Sequence, residues 1–595
     1  MLRCLLILLI LPSLCFAQYW GERVTDQSFE SSSIYFKNNF LNTHGLYRFG
    51  DAAVGLIDDS HLNLYINPAD LPNLNGSDYQ IYLDFRGDRT EEEVIDHYYS
   101  MPYDYIGIRP DPRWYSQTRQ EPEPIFSLGI LAYPFGEKAK NLFVGGTYQI
   151  IYKQEKYYTV PSWIYQYRFG YDAFGESNVG EGSIPIVDRY SGKDELTTQA
   201  HLLTGYLGYS VSDKVDMGIA LSSTTHSRDG GYATSRRDEY STTELSSYYN
   251  FSSQERNQDY SHWDFTYGLN IKFNPKFSGG VKIGTLSGDA EQDYTAVDTS
   301  TYQYNIPGVS ENWSNHYRGS KRFQQWNRDG NTKYGGINLS SDISPTGQFN
   351  FYYRYSVSDI DLNSTSTIRD TSYYKYQYKY DTLTYEYYSE SQTLDDRTGT
   401  GNSKKYTHDA MASMRWKLDK KSTLNAGIYF SRCKTDVTSN EPVVADRWSD
   451  YQSEVNDSIR YARYYRVYED KRLVWNYHST YWTIQIPVIL NYRVSNRFTF
   501  MLGVNRILEA WDISDQTTAY FTTRQTTNDG ITETETDFGE RYTQPDEKIT
   551  EDYTAIITSF EVSVSPRFAV RLFLGPEFED DFRIAQWWLS FKVTP

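Results

Sequence analysis

Apolar residues recur at every second position through most of the chain after about residue 125. In KVDMGIALS, Val215, Met217, Ile219 and Leu221 share one face, while Asp216, Gly218, Ala220 and Ser222 share the other. TYGLNIKF sets Tyr267, Leu269, Ile271 and Phe273 against Gly268, Asn270 and Lys272. STLNAGIYF sets Leu424, Ala426, Ile428 and Phe430 against Asn425, Gly427 and Tyr429, and TIQIPVILNYRV repeats the pattern from Ile484 to Val494. The last segment places Trp587, Leu589, Phe591 and Val593 opposite Gln586, Ser590 and Lys592. Period two with one apolar and one polar face marks an extended strand between two different media.

These strands come in pairs joined by very short turns: GEKAKN (136–141), SDK (212–214), NPK (274–276), SPTG (344–347), DKKS (419–422), SN (495–496) and SPR (565–567). Between the pairs lie polar segments of roughly 20–40 residues rich in Asp, Glu, Ser, Thr, Asn and Tyr. Short turns at one end and long loops at the other is the asymmetry of an outer-membrane barrel. A soluble sandwich or propeller has more even connections. Candidate strands fall near 78–87, 125–135, 141–153, 198–212, 214–226, 259–274, 276–288, 331–343, 348–360, 405–418, 422–434, 475–495, 497–510, 553–565, 568–575 and 583–593. The pattern therefore predicts an all-β, antiparallel, up-and-down transmembrane β-barrel of 14–16 strands with long extracellular loops. The windows number sixteen, and fourteen strands is the alternative. Ile219, Ile271, Ile428 and Leu502 are expected to face lipid.

Composition agrees with that picture. The 595 residues carry a net charge of −19, which argues against nucleic acid as a partner. Mean hydropathy is −0.65, and past the N-terminus no apolar run is long enough for a spanning helix. A barrel escapes that test because its apolar residues alternate with polar ones. Aromatic residues are 17% of the chain, too many for a disordered polymer.

The opening MLRCLLILLILPSLCFA reads as a secretory signal peptide: Arg3, an apolar run from Leu5 to Leu11, Pro12, and small Ala17 at the cleavage point. Cys15 invites a lipoprotein reading, but bulky Leu14 before it is the wrong residue for that processing. Cleavage leaves Cys433 as the one cysteine, so no internal disulfide forms. Export points to the outer membrane of a Gram-negative (diderm) bacterium. The expected division is 1–17 signal peptide, 18–77 a periplasmic or lumenal hatch segment, and 78–595 the barrel.

The segment GDAAVGLIDDSHLNLYINPADL (50–71) breaks the alternation, and Pro68 bars it from a central strand. It resembles the N-terminal signature of the FadL-type hydrophobic-compound channels of the outer membrane and their PorV-like relatives. The matching residues are Gly50, Ala52, Ala53, Asp58, Asp59, Asn67, Pro68, Ala69 and Leu71. The resemblance implies a small hatch inside the barrel, with Asp58, Asp59, Asn67, Pro68 and Ala69 as its motif. It departs from the family at Leu62, Leu64, Tyr65, Ile66 and Asp70, and in place of a terminal aromatic residue it has Val593, Thr594 and Pro595. Read from the residues alone, Asn67-Pro68 also initiates a turn, and Asp58-Asp59 also suits a helix cap. Buried carboxylates need cationic partners, and Lys272, Lys282, Arg493 and Arg571 are the lumen-facing candidates.

Catalytic signals are missing: there is no H-E-x-x-H, G-x-S-x-G or G-x-x-x-x-G-K. The nine histidines are scattered, Glu91–Glu93 reads as a solvated face, and the Asp-Gly turns lack calcium-loop spacing. No enzyme activity, metal or cofactor is expected. Tyrosine is the peculiarity, with 57 copies, clustered in SYYKYQYKYDTLTYEYY (372–388) and YARYYRVY (461–468). The plain reading is a hairpin running on beyond the membrane; the sharper one is a platform for glycan or a hydrophobic ligand.

Functionally the sequence points to a passive channel for small hydrophobic or amphipathic solutes. The alternative is a PorV-like scaffold or surface interaction barrel without transport, and behind it a secreted soluble all-β binding protein. Expected partners are outer-membrane lipid and hydrophobic small molecules or envelope proteins. Fewer than 80 residues before the first strand disfavour the large plug of TonB-dependent import.

Overall fold

The computed structural model describes residues 52, 56, 60–74, 80–88, 124–134, 139–156, 183–186, 190–240, 245–306, 309–543, 547–577 and 583–593. Two short helical pieces come first, α1 (Ser60–Ile66) and the 3-10 helix η1 (Pro68–Asn73). The strands that follow are β1 (Gln80–Asp88), β2 (Pro124–Pro134), β3 (Leu142–Lys156), β4 (Ser183–Ile186), β5 (Tyr190–Ser212) and β6 (Val215–Tyr240). Then come β7 (Leu245–Asn274), β8 (Phe277–Ile306), β9 (Val309–Ser344), β10 (Gly347–Tyr380), β11 (Leu383–Lys417) and β12 (Ser422–Val455). Last are β13 (Ser458–Arg493), β14 (Phe498–Asn528), β15 (Ile531–Thr543), β16 (Glu547–Ser565), β17 (Phe568–Glu577) and β18 (Arg583–Val593). The signal-peptide segment and Glu91–Glu93 lie outside the described residues.

All eighteen strands belong to one antiparallel sheet. β4 pairs with the far end of β6, and β15 with the far half of β14. Without those two the sheet is a ring of sixteen, because β3 pairs β5, β14 pairs β16, and β1 pairs both β18 and β2. Closure leaves no free edge within the ring, which is what a strand protein in hydrocarbon requires. Each of the sixteen sequence windows overlaps a different ring strand.

Outward positions near the short turns are apolar and exposed: Ile283 is 63% accessible and Ile428 58%, while inward Ile489 is fully buried. Tyr209, Phe273 and Tyr492 stand exposed at the short-turn end, where aromatic rings form an interfacial girdle. The ring is thus a membrane-spanning β-barrel with an apolar belt. Ile428→Lys is expected to destabilise the barrel by about 2–4 kcal/mol in urea titration from lipid vesicles. An unchanged midpoint would mean that Ile428 does not face hydrocarbon.

The polar segments between Leu245 and Asn528 need a correction. In the described residues they are strand: β7 to β14 run 30–36 residues, although about 9–11 suffice to cross a bilayer. The excess stands as a wall of hairpins above the membrane. Both faces of this wall carry polar side chains, so the apolar–polar contrast that reveals a strand is lost. The tips are tight turns at Asp381, Asn456-Asp457 and Asp529-Gly530, all with positive φ, which Asn, Asp and Gly adopt most readily. Adjacent hairpins are tied sideways at their tips. Asn456 and Thr384 exchange two bonds of 2.8–2.9 Å, and Asp529 and Tyr464 exchange two of 2.8 Å. The tyrosine segment 372–388 lies in the β10–β11 hairpin, as the plain reading expects.

Candidate functional site

Asn67 organises the N-terminal piece. Pro68 biases the residue before it toward extended backbone, and Asn67 sits at φ −158°, ψ 117°. Its backbone N–H closes α1 by donating to Asn63 O at 2.9 Å. Its side-chain oxygen caps η1 by accepting from Ala69 N at 3.0 Å, with Pro68 at the first helical position, where a missing donor costs nothing. One residue therefore ends a helix and begins the next turn.

The other half of the same amide points into the wall. Asn67 Nδ2 lies 2.8 Å from Asn270 Oδ1 and 3.2 Å from Leu269 O, Val281 O and Asn338 Oδ1. Asn67, Pro68 and Ala69 are all buried. The wall admits them because it is hollowed by glycine. Gly208, Gly218 and Gly268 stand side by side on β5, β6 and β7. A Cβ on Gly218 would lie 2.2 Å from the Pro68 carbonyl, and one on Gly268 would lie 1.9 Å from Asn67 Oδ1. No side chain fits at either place.

Tyr65 is held from two sides. Buried Lys282 donates to its carbonyl at 2.6 Å and stands 4.5 Å over its ring, while Arg354 donates to its hydroxyl. Arg354 pairs with buried Asp409 at 2.7 Å, and Asp409 also accepts from Tyr429 and Ser431 at 2.9 and 2.8 Å. Asn425 donates to Leu56 O at 2.5 Å from farther round the ring. Toward the short turns, Asn73 donates to Asp216 at 2.7 Å and accepts from Lys272 at 2.6 Å. Asn270 donates to Asp70 at 2.5 Å. Burial, and then the charge of Asp216, push the Asp70 carboxyl up to about 7, with Lys272 opposing them. The helical piece therefore seats more firmly with Asp70 protonated, and that advantage fades as pH rises from about 4 through 7.

The apolar side of this piece completes the seal. Leu56, Leu62, Leu64, Leu71 and Leu74 form one buried cluster with Tyr82, Leu131, Tyr206, Met411, Ile489, Met501, Ile557 and Phe573. Those wall residues come from β1, β2, β5, β11, β13, β14, β16 and β17, on all sides of the ring. Residues 52, 56 and 60–74 thus pack inside the barrel at its short-turn end.

Of the candidates read from sequence, Asn67, Pro68 and Ala69 meet the wall, and Lys272 and Lys282 reach the segment. The two lysines engage Asn73 and the Tyr65 carbonyl. Asp58 and Asp59 lie outside the described residues. Arg571 bonds to Glu561 at 2.7 Å, and Arg493 is exposed at the short-turn end. Sequence reasoning missed Tyr65, Asn270, Asn338, Arg354 and Asp409. A usable signal was present: Gly218 and Gly268 both fall on the inward parity, close to a short turn. No group of His, Cys, Asp or Glu suited to a metal ion occurs among the described residues.

Fold and site together define a membrane-spanning β-barrel occupied at one end by its own N-terminal segment. No family model matches the chain, and no curated protein matches it. Among solved structures it is similar to a FadL homologue of Pseudomonas aeruginosa, at 10% identity and a TM-score of 0.27, covering 91% of this chain and 96% of that one. It is also similar to a deletion mutant of TodX, a monoaromatic hydrocarbon channel (9% identity, TM-score 0.29, covering 90% and 94%). A mutant ferric enterobactin receptor of Pseudomonas aeruginosa is a third (7% identity, TM-score 0.25, covering 87% and 81%). Scores this low carry no argument, and the barrel assignment rests on the strand pairing above. They do not bear on PorV-like relatives or on the Asn-Pro-Ala motif.

Proposed function

We propose that the chain is an outer-membrane barrel of a diderm bacterium and a passive channel for small hydrophobic or amphipathic solutes, with residues 18–77 forming a hatch at its periplasmic end. The observation that carries this reading is the seating of Asn67-Pro68-Ala69 in a wall hollowed by glycine. The apolar layer between hatch and wall supports the solute class, since a path opened there is lined by leucine, methionine and isoleucine. Deleting residues 50–71 is expected to raise single-channel conductance in planar bilayers and to speed entry of labelled fatty acid into liposomes.

A second reading has its own support. Above the membrane the inward face is packed: Leu286, Ile360, Leu362, Val437 and Trp475 form one buried cluster, and Val443, Leu473, Ala519 and Phe521 another. Buried ion pairs add to it, Arg397 with Asp395 at 2.7 Å and Lys471 with Glu469 at 3.0 Å. Such packing suits a surface interaction barrel without transport. A deletion variant that stays closed and passes no fatty acid decides for this second reading.

A further inference from the structure

The two ends of the strands carry opposite charge. Six of the seven short turns hold a cation. Lys140 lies between β2 and β3, Lys214 between β5 and β6, and Lys276 between β7 and β8. Lys420 and Lys421 lie between β11 and β12, Arg497 between β13 and β14, and Arg567 between β16 and β17. Lys138 adds one more, against the turn carboxylates Glu137, Asp213 and Asp419. The far turns from β6 to β16 reverse the sign, with Glu244, Asp381, Asp457, Asp529 and Asp546 and no cation. In a chain of net charge −19 the short-turn end is a positive rim.

The backbone of these turns is pinned by the neighbouring strand. The carbonyls of Lys214, Lys276, Lys421 and Arg497 each accept at 2.8 Å, from Lys272 N, Asp342 N, Arg493 N and Ser563 N. Asp419 is taken up by its own turn, accepting from Lys421 N and Ser422 N at 2.6 Å. The cationic side chains are left over. All those described in the turns are exposed, and none is ion-paired among the described residues. Toward this end the outward residues run from aliphatic to aromatic to cationic. Leu207, Tyr209 and Lys214 follow in that order, as do Ile271, Phe273 and Lys276, and Leu490, Tyr492 and Arg497. Hydrocarbon, interface and phosphate follow in the same order through one leaflet of a bilayer.

We propose that this rim is a collar for anionic phospholipid headgroups, of the phosphatidylglycerol class, in the periplasmic leaflet. The cations stand on turns all round the ring, from β2–β3 to β16–β17, which matches a leaflet that surrounds the barrel. A soluble acidic partner would call for one cluster on one side. Lysine and arginine lay their apolar stems along the interface while their charged heads reach the phosphates. Each unpaired cation is drawn to an anionic lipid surface, and salt screens that attraction. The leaflet rests on the periplasmic placement of the short turns in the channel reading; the lipid preference does not.

The test places the full chain in phosphatidylcholine vesicles with a trace of spin-labelled phosphatidylglycerol or spin-labelled phosphatidylcholine. The motionally restricted fraction of each label reads which lipid sits against the barrel. Phosphatidylglycerol is expected to associate about threefold more strongly at low salt. The preference should vanish at about 1 M salt. The combined variant Lys420→Gln, Lys421→Gln, Arg497→Gln, Arg567→Gln should lose most of it. Lys333→Gln with Arg432→Gln, which removes exposed cations beyond the other border of the apolar belt, should keep it. Heat-modifiable migration in gels confirms that each variant is a folded barrel, and the salt titration needs no variant. Equal association of the two lipids at low salt overturns the proposal. So does a preference that survives the turn variant, or one that the Lys333 and Arg432 variant abolishes. Retention of the native chain on immobilised polyglutamate, without any lipid preference, overturns it in favour of an acidic protein. Orientation is read separately, in a Cys433→Ser background, with an impermeant maleimide on intact cells. Asp457→Cys should label and Lys420→Cys should not. The reverse pattern overturns the leaflet and the periplasmic placement together, whereas a missing lipid preference leaves that placement standing.

Discussion

A side chain placed at Gly218 is expected to unseat the N-terminal segment and open the barrel. The Cβ of Gly218→Val would start 2.2 Å from backbone atoms of Pro68, which have no rotamer to escape into. The wall at this point is paired on both sides, Gly218 with Gly208 and with Gly268, so the strand cannot retreat either. The segment has to move. In planar bilayers the variant should conduct well above the native baseline. Gly205→Val is the matched control: it lies on the outward face of a neighbouring strand, with nothing within 4 Å of the added Cβ. A native baseline in the Gly218 variant would show that the channel is blocked elsewhere.

The second large effect belongs to Arg354. Its guanidinium pairs with Asp409, whose side chain is only 2% exposed, and also reaches the Tyr65 hydroxyl. Arg354→Met leaves a buried carboxylate with only the hydroxyls of Tyr429 and Ser431 for company. Removing one partner of a buried pair costs about 3–5 kcal/mol, read here as unfolding free energy in urea. The double variant Arg354→Met, Asp409→Asn should recover most of that loss, because the uncompensated charge is gone. A loss under about 1 kcal/mol for the single variant would mean that water reaches Asp409.

The membrane-spanning part of the fold was legible in the sequence for a physical reason. Hydrocarbon outside and polar groups inside impose a contrast at every second residue, as in Leu269-Asn270-Ile271 and Ala426-Gly427-Ile428. Above the bilayer that contrast has no cause. Segments such as Asp361–Asp370 therefore read as loop although they are continuous strand. The lumenal position of Asn67 was suggested by what Pro68 forbids, but its partners were not. Asn270, Val281 and Asn338 are more than 200 residues away along the chain. Only the register of β7, β8 and β9 brings them to one point. Charge alone marks Lys272 and Lys282 in the sequence as partners for carboxylates. Lys282 instead serves a backbone carbonyl, an acceptor that every residue carries and no pattern can mark.

Parity runs unbroken along β10, with a consequence for how this chain tolerates change. Arg354 at the hatch and Tyr374 at the tip lie on the same face, separated by an even number of steps, with Lys375 and Lys379 on the other. One residue inserted between them would leave the Tyr65 contact intact and turn everything above it over. The tip would then show its charged side inward and its tyrosines outward. Two residues inserted would only lengthen the strand. Along these hairpins, single insertions and deletions are damaging while paired ones are absorbed. Homologous walls should therefore differ in height by even counts per strand, or compensate an odd step with a bulge.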